Sequence, residues 1–116
     1  MDLHEHSHSA AEELDRRRHP RHTVNVQIEI RPEGTDVPFR LETTDLSRRG
    51  CYVQMIMPLQ TGTRLDATLW LGGVSIYLRG VVATRHPGFG NGIMFVEFEG
   101  PSEELLNAYT DELVGK

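Results

Sequence analysis

The sequence predicts an all-β fold: a six-stranded antiparallel β-barrel followed by a C-terminal α-helix. Three observations carry that prediction. From Thr23 the chain has a period of two, with Val24, Val26, Ile28 and Ile30 alternating with Asn25, Gln27 and Glu29, as a strand with one wet face requires. Apolar runs of strand length recur as far as Phe98, separated by Pro- and Gly-bearing breaks. Apart from a short stretch near Ala10 to Leu14 in the polar start, helical spacing follows only after Pro101, so nothing between the strands supplies the crossovers of a parallel sheet. Closing the strands into a barrel removes their exposed edges.

The elements follow in order. Arg31-Pro32-Glu33-Gly34 supplies the Pro and Gly of a turn. Residues 37–44 read as a second strand with Phe39 and Leu41 on one face. Residues 45–50 break it, and 51–57 resume as a third, with Cys51, Val53 and Met55 on one side. Residues 58–62 form a loop and 63–71 a fourth strand. Gly72-Gly73 between two apolar runs predicts a two-residue hairpin. Residues 74–85 form a fifth strand, long enough to bend around Gly80. After a Pro/Gly loop at 86–90, residues 91–98 form the sixth, with Ile93, Phe95, Val96 and Phe98 inward. Ser102 offers a capping hydroxyl, and Glu103 and Glu104 suit the first turn of a helix over 102–114. Leu105, Leu106, Tyr109 and Leu113 keep helical spacing, and Gly115 stands where the helix would stop.

At 116 residues and 38% apolar, the chain suits one domain that buries roughly two-thirds of its unfolded surface. No run approaches the roughly 20 apolar residues of a bilayer span, and the polar start is no secretory signal, so the expected compartment is the cytoplasm. Cys51 is the only cysteine, which excludes an internal disulfide and a cysteine-rich metal site. It reads as a small core hydrophobe. His4, His6 and His8 alternate, but no second ligand cluster completes a coordination shell, and no metal is assigned. Residues 1–15 read as a solvated acidic tail.

The net charge of −5 argues against a general DNA or RNA binder. Residues 1–15 carry five acids and no Lys or Arg, whereas residues 16–49 hold eight Arg against five acids. Arg offers a planar fork for phosphate oxygens and guanine edges, so the pattern suits a small anionic ligand.

Two segments could carry chemistry. Arg16, Arg17, Arg18 and Arg21 crowd four cations into six residues before the first strand; alone, they read equally as a solvated charge run. Asp45, Ser47 and Gly50 lie between two strands, where a turn would explain all three. No Ser, His or Cys arrangement suggests an enzyme. His22 and His86 read as loop or strand-edge residues, and Trp70 as core or barrel surface.

Together the segments point further. Arg17-x-x-x-Arg21 followed by Asp45-x-Ser47-x-x-Gly50, with Gly90-Asn91-Gly92-Ile93-Met94-Phe95 later, resembles the PilZ domain family over residues 16 to about 114. The resemblance implies a domain over 16–116, with an Arg-rich ligand loop at 16–22, a barrel at 23–98 and the helix at 102–114. It implies binding of cyclic di-GMP with no further cofactor. Arg17 and Arg21 would grip phosphates and guanine edges, Asp45 and Ser47 would contact a base, and Gly50 would let the backbone come close. Arg16 precedes the motif, and in similar domains an extra Arg there accompanies two stacked messenger molecules rather than one. The implied partners are the messenger and an unnamed downstream protein, with no DNA or RNA and no membrane insertion. The alternative is a PilZ-like adaptor that works by protein contact without nucleotide. The acidic tail could lie over the empty Arg cluster and compete with the messenger.

Overall fold

Six antiparallel strands and one helix follow in the expected order in the computed structural model, which describes residues 19–114. They are β1 (Gln27–Pro32), β2 (Phe39–Leu46), β3 (Gly50–Gln54), β4 (Arg64–Leu71), β5 (Val74–His86), β6 (Gly90–Phe98) and α1 (Ser102–Val114). Each strand bonds two neighbours in the cyclic order β1-β2-β3-β6-β5-β4, which closes the barrel. Ile28, Ile30, Leu46, Val53, Leu69, Ile76, Val82 and Ile93 point into one core, and Leu106 of α1 joins them. Burying each such side chain stabilises the fold by roughly 1.5–3 kcal/mol. Gly72 and Gly73 turn between β4 and β5 with φ of 60° and 93°, the left-handed pair that a tight hairpin requires.

Several expectations shift, each for a physical reason. The first strand begins at Gln27, not Thr23, because a side chain replaces the ladder there. Thr43, fully buried, accepts from the Val26 N–H at 3.0 Å and donates to the Val24 carbonyl at 2.8 Å through Oγ1. The third strand ends at Gln54, and Ile56 and Met57 stand in solvent. Phe39 turns partly outward, leaving Leu41 against the core. Val96 is 56% exposed because the period of two that buries Ile93 and Phe95 carries it outside. Phe98 is half-buried, edge-on to Phe95.

Ser102 does not cap α1. The first helical bond runs from the Leu105 N–H to the Pro101 carbonyl, so Ser102 already lies within the first turn. Its buried hydroxyl instead accepts from the Tyr77 N–H at 2.9 Å and fastens the helix to β5. Leu106 and Thr110 are buried one turn apart, while Leu105 faces outward. Gly115 lies outside the described residues.

Candidate functional site

The two sequence segments meet where β2 ends. Register shifts between Thr43 and Asp45, so that Asp45 falls opposite Tyr52 of β3. Such a bulge adds a residue to one strand and re-aims the next side chain. Just beyond it, His22 and Leu46 exchange two backbone bonds, at 2.8 and 2.9 Å, and clamp the end of the Arg-rich segment to β2. The clamp sets Arg21 beside Asp45, with Nη1 to Oδ1 at 3.3 Å. Both side chains keep access to solvent. Residues 24 apart in sequence are thus neighbours through two local devices, a bulge and a bridge.

Ser47 and Gly50 build the turn beneath the pair. The Ser47 hydroxyl is buried and accepts from the Arg49 and Gly50 N–H groups at 3.1 and 3.2 Å. The Ser47 N–H donates to the Gly50 carbonyl at 2.9 Å. Gly50 has a close neighbour of its own, since a Cβ there would lie 2.3 Å from the Ile93 carbonyl oxygen of β6. The close approach it permits is therefore made by strand backbone.

Electrostatics around the pair follow from burial. Cys51 is fully buried behind it; desolvation pushes the thiol up to about 12, the Asp45 carboxylate adds to the rise, and the Arg21 guanidinium opposes it. Such a thiol stays protonated and unreactive. Burial first, then the Asp45 carboxylate, also raises the Tyr52 phenol. The Tyr52 hydroxyl lies 3.0 Å from His86 Nδ1, which extends a polar line from Asp45 across β3 toward β5.

Arg16, Arg17 and Arg18 lie outside the described residues, as do His4, His6 and His8. The structure joins Arg21, Asp45, Ser47 and Gly50. Three residues at or near this site were given no functional role from the sequence. Arg48 pairs through Nη2 with Asp111 of α1, linking the turn to the helix. Tyr52 lies opposite Asp45 and reaches His86, and His22 forms the clamp. Their only advance signal was proximity to the motif. Trp70 stands on the barrel surface with the Arg40 guanidinium 5.8 Å from its ring centre. Among the described residues, no three His, Cys, Asp or Glu gather as metal ligands.

A concavity of about 590 Å³ elsewhere, walled by Arg31, Arg64, Asp66, Arg79 and Glu97, includes neither Arg21 nor Asp45. Chemically, the pair sets a two-pronged donor beside an acceptor. Guanine offers partners for both, O6 and N7 of one edge for the guanidinium and N1–H and the amino group of the adjoining edge for the carboxylate.

Comparison with known proteins agrees with the fold. The family model described as PilZ domain matches residues 15–112. The fold is similar to that of the Bacillus subtilis inhibitor of motility (MotI/DgrA), with a TM-score of 0.69 at 19% identity over 87% of this chain. The chain spans about half of that protein, 53% of its length. It is also similar to the PilZ domain of CeSA from a cellulose-synthesizing bacterium, with a TM-score of 0.64 at 20% identity, covering 80% of this chain and 96% of that one. No curated protein sequence matches.

Proposed function

Since the chain belongs to the PilZ domain family, we propose that it is a receptor for cyclic di-GMP that signals to a partner protein. The observation that carries this reading is the Arg21–Asp45 pair, held at 3.3 Å by the His22–Leu46 bridge and the bulge in β2. An exposed pair of this kind contributes only about 0–1 kcal/mol, so a ligand exchanges its contacts at little cost. Arg21 then donates to guanine O6 and N7 or to phosphate, and Asp45 accepts from the guanine N1–H and amino group. Arg16, Arg17 and Arg18 supply further cations from the preceding segment. Ser47 and Gly50 serve by shaping the turn, because the hydroxyl is engaged by backbone and the glycine by Ile93.

Calorimetric titration with cyclic di-GMP tests the reading. Arg17→Ala, Arg21→Ala and Asp45→Ala should each weaken binding roughly ten- to hundredfold with little change in stability. Two messengers per chain are expected, falling to one in Arg16→Ala. Removing residues 1–15 should tighten binding most at low salt, where charge is least screened. An absence of heat with the parent chain, together with unmoved NMR signals of Arg21 and Asp45, would favour the nucleotide-independent adaptor.

A further inference from the structure

A second feature of the surface lies at the other end of β3 from the Ser47–Gly50 turn. The five residues of β3, about 17 Å at ~3.3 Å each, run from one to the other. There Ile56 and Met57 are each 84% exposed, and Phe89 is 73% exposed. One exposed apolar side chain is ordinary; three on adjoining loops mark a contact surface.

These loops are fastened. The Met55 N–H donates to the Phe89 carbonyl at 2.9 Å and the Gly88 N–H to the Ile56 carbonyl at 3.2 Å, continuing the pairing past the strand ends. Behind them the fully buried Asn91 accepts from the Leu59 N–H at 2.8 Å and donates to the Leu59 carbonyl at 3.0 Å. Arg85 Nε donates to the Pro58 carbonyl at 3.4 Å. The outward aim of Ile56, Met57 and Phe89 is therefore built into the fold.

The two loops carry no acidic residue of their own, and Glu42 of β2 lies beside Gln54 at their base. Residues 47–65 and 80–96 contain no Asp or Glu. Arg85 and His86 flank Phe89, and both are exposed. Arg64, at the far end of the 55–63 loop, lies beside Glu33 and Asp66, so the cationic flank is Arg85.

We infer that Ile56, Met57 and Phe89 form a prong that seats on the surface of an anionic lipid bilayer. The three tips carry no hydrogen-bonding group. A specific protein interface averages one hydrogen bond per roughly 100–200 Å², whereas a bilayer interface accepts apolar side chains without directional partners and rewards adjacent cations. A second copy on the same prong would set each Arg85 against its symmetry mate. Among the described residues, no helix is long and apolar enough to cross a membrane. The contact is shallow and reversible, and it revises the expectation of no membrane insertion to the depth of three side chains.

Flotation of the full chain with vesicles, without cyclic di-GMP, tests this independently of the messenger reading. The parent should float with vesicles of phosphatidylcholine and phosphatidylglycerol about fivefold better than with phosphatidylcholine alone, the worth of roughly one cation at an anionic surface. The triple variant Ile56→Ser, Met57→Ser, Phe89→Ser should not float, yet should unfold at the parent's denaturant midpoint. Phe89→Trp in a Trp70→Phe background should shift its emission to the blue when anionic vesicles are added. Equal flotation of parent and triple variant, or no flotation of the parent, overturns the assignment. Self-association of the parent that the triple variant abolishes, without vesicle binding, assigns the prong to a second copy and overturns it too.

Discussion

The two ends of β3 are built by the same device and present opposite chemistry. At the Arg21 end, the buried Thr43 hydroxyl serves backbone groups of residues 24 and 26 that the ladder does not reach. At the Phe89 end, the buried Asn91 amide does the same for Leu59 and Thr84. One end then presents a guanidinium and a carboxylate that neutralise each other; the other presents three apolar tips with a cationic flank. In a barrel this small, buried polar side chains are the anchors of the outer surfaces. What an end does depends on what it presents, and how firmly it does so depends on its anchor.

The sharpest way to break this parallel is Asn91→Ala. It strands the Leu59 N–H and carbonyl, and should cost about 2–4 kcal/mol, read by denaturant unfolding. Hydrogen exchange should quicken over 55–63 while the His22 and Leu46 amides stay protected. Thr43→Val is the mirror experiment. It should cost about 1–3 kcal/mol and loosen residues 22–26, weakening cyclic di-GMP binding while leaving the 55–63 loop protected.

The Cys51 thiol reports from beneath the charged end. Its ionisation is raised in the folded chain, from 9.0 to about 12. The stability it contributes is whole below pH 9 and is lost as pH rises toward 12, at a slope approaching about 1.4 kcal/mol per pH unit. Cys51→Ala should flatten that alkaline limb, with the smaller part due to Tyr52 remaining. The smallest effect belongs to Arg48→Ala. Its exposed pair with Asp111 should be worth no more than about 0.5 kcal/mol by urea unfolding, while α1 near Asp111 should shift in NMR spectra.

What could be read in the sequence depended on how local its cause was. Alternation and Gly72-Gly73 placed six strands and a hairpin, because a period of two and a positive φ are properties of a few adjacent residues. The start of β1 was misplaced because Thr43, 17 residues beyond Val26, takes over bonds that alternation assigns to a strand. Ser102 has the residue type and position of a cap, yet its partner is Tyr77 on another element. The charged site was legible as two motifs, but the bulge and bridge that join Arg21 to Asp45 were not, since neither has a residue signature. Asn91 was least legible of all. At the start of a strand an Asn reads as a turn residue, and only the closed fold reveals that it faces inward.

The closure of the barrel also limits how other chains can join this one. Among the described residues every strand already has two neighbours along part of its length, so no whole strand edge is left for a partner to extend by strand addition. Recruitment must therefore work through side chains standing on the barrel wall, through the loops at its two ends, or through the outer face of α1. A partner that arrives as an extended peptide finds only short stretches of open amides along these strands, and one that recognises shape and charge finds the whole outer wall.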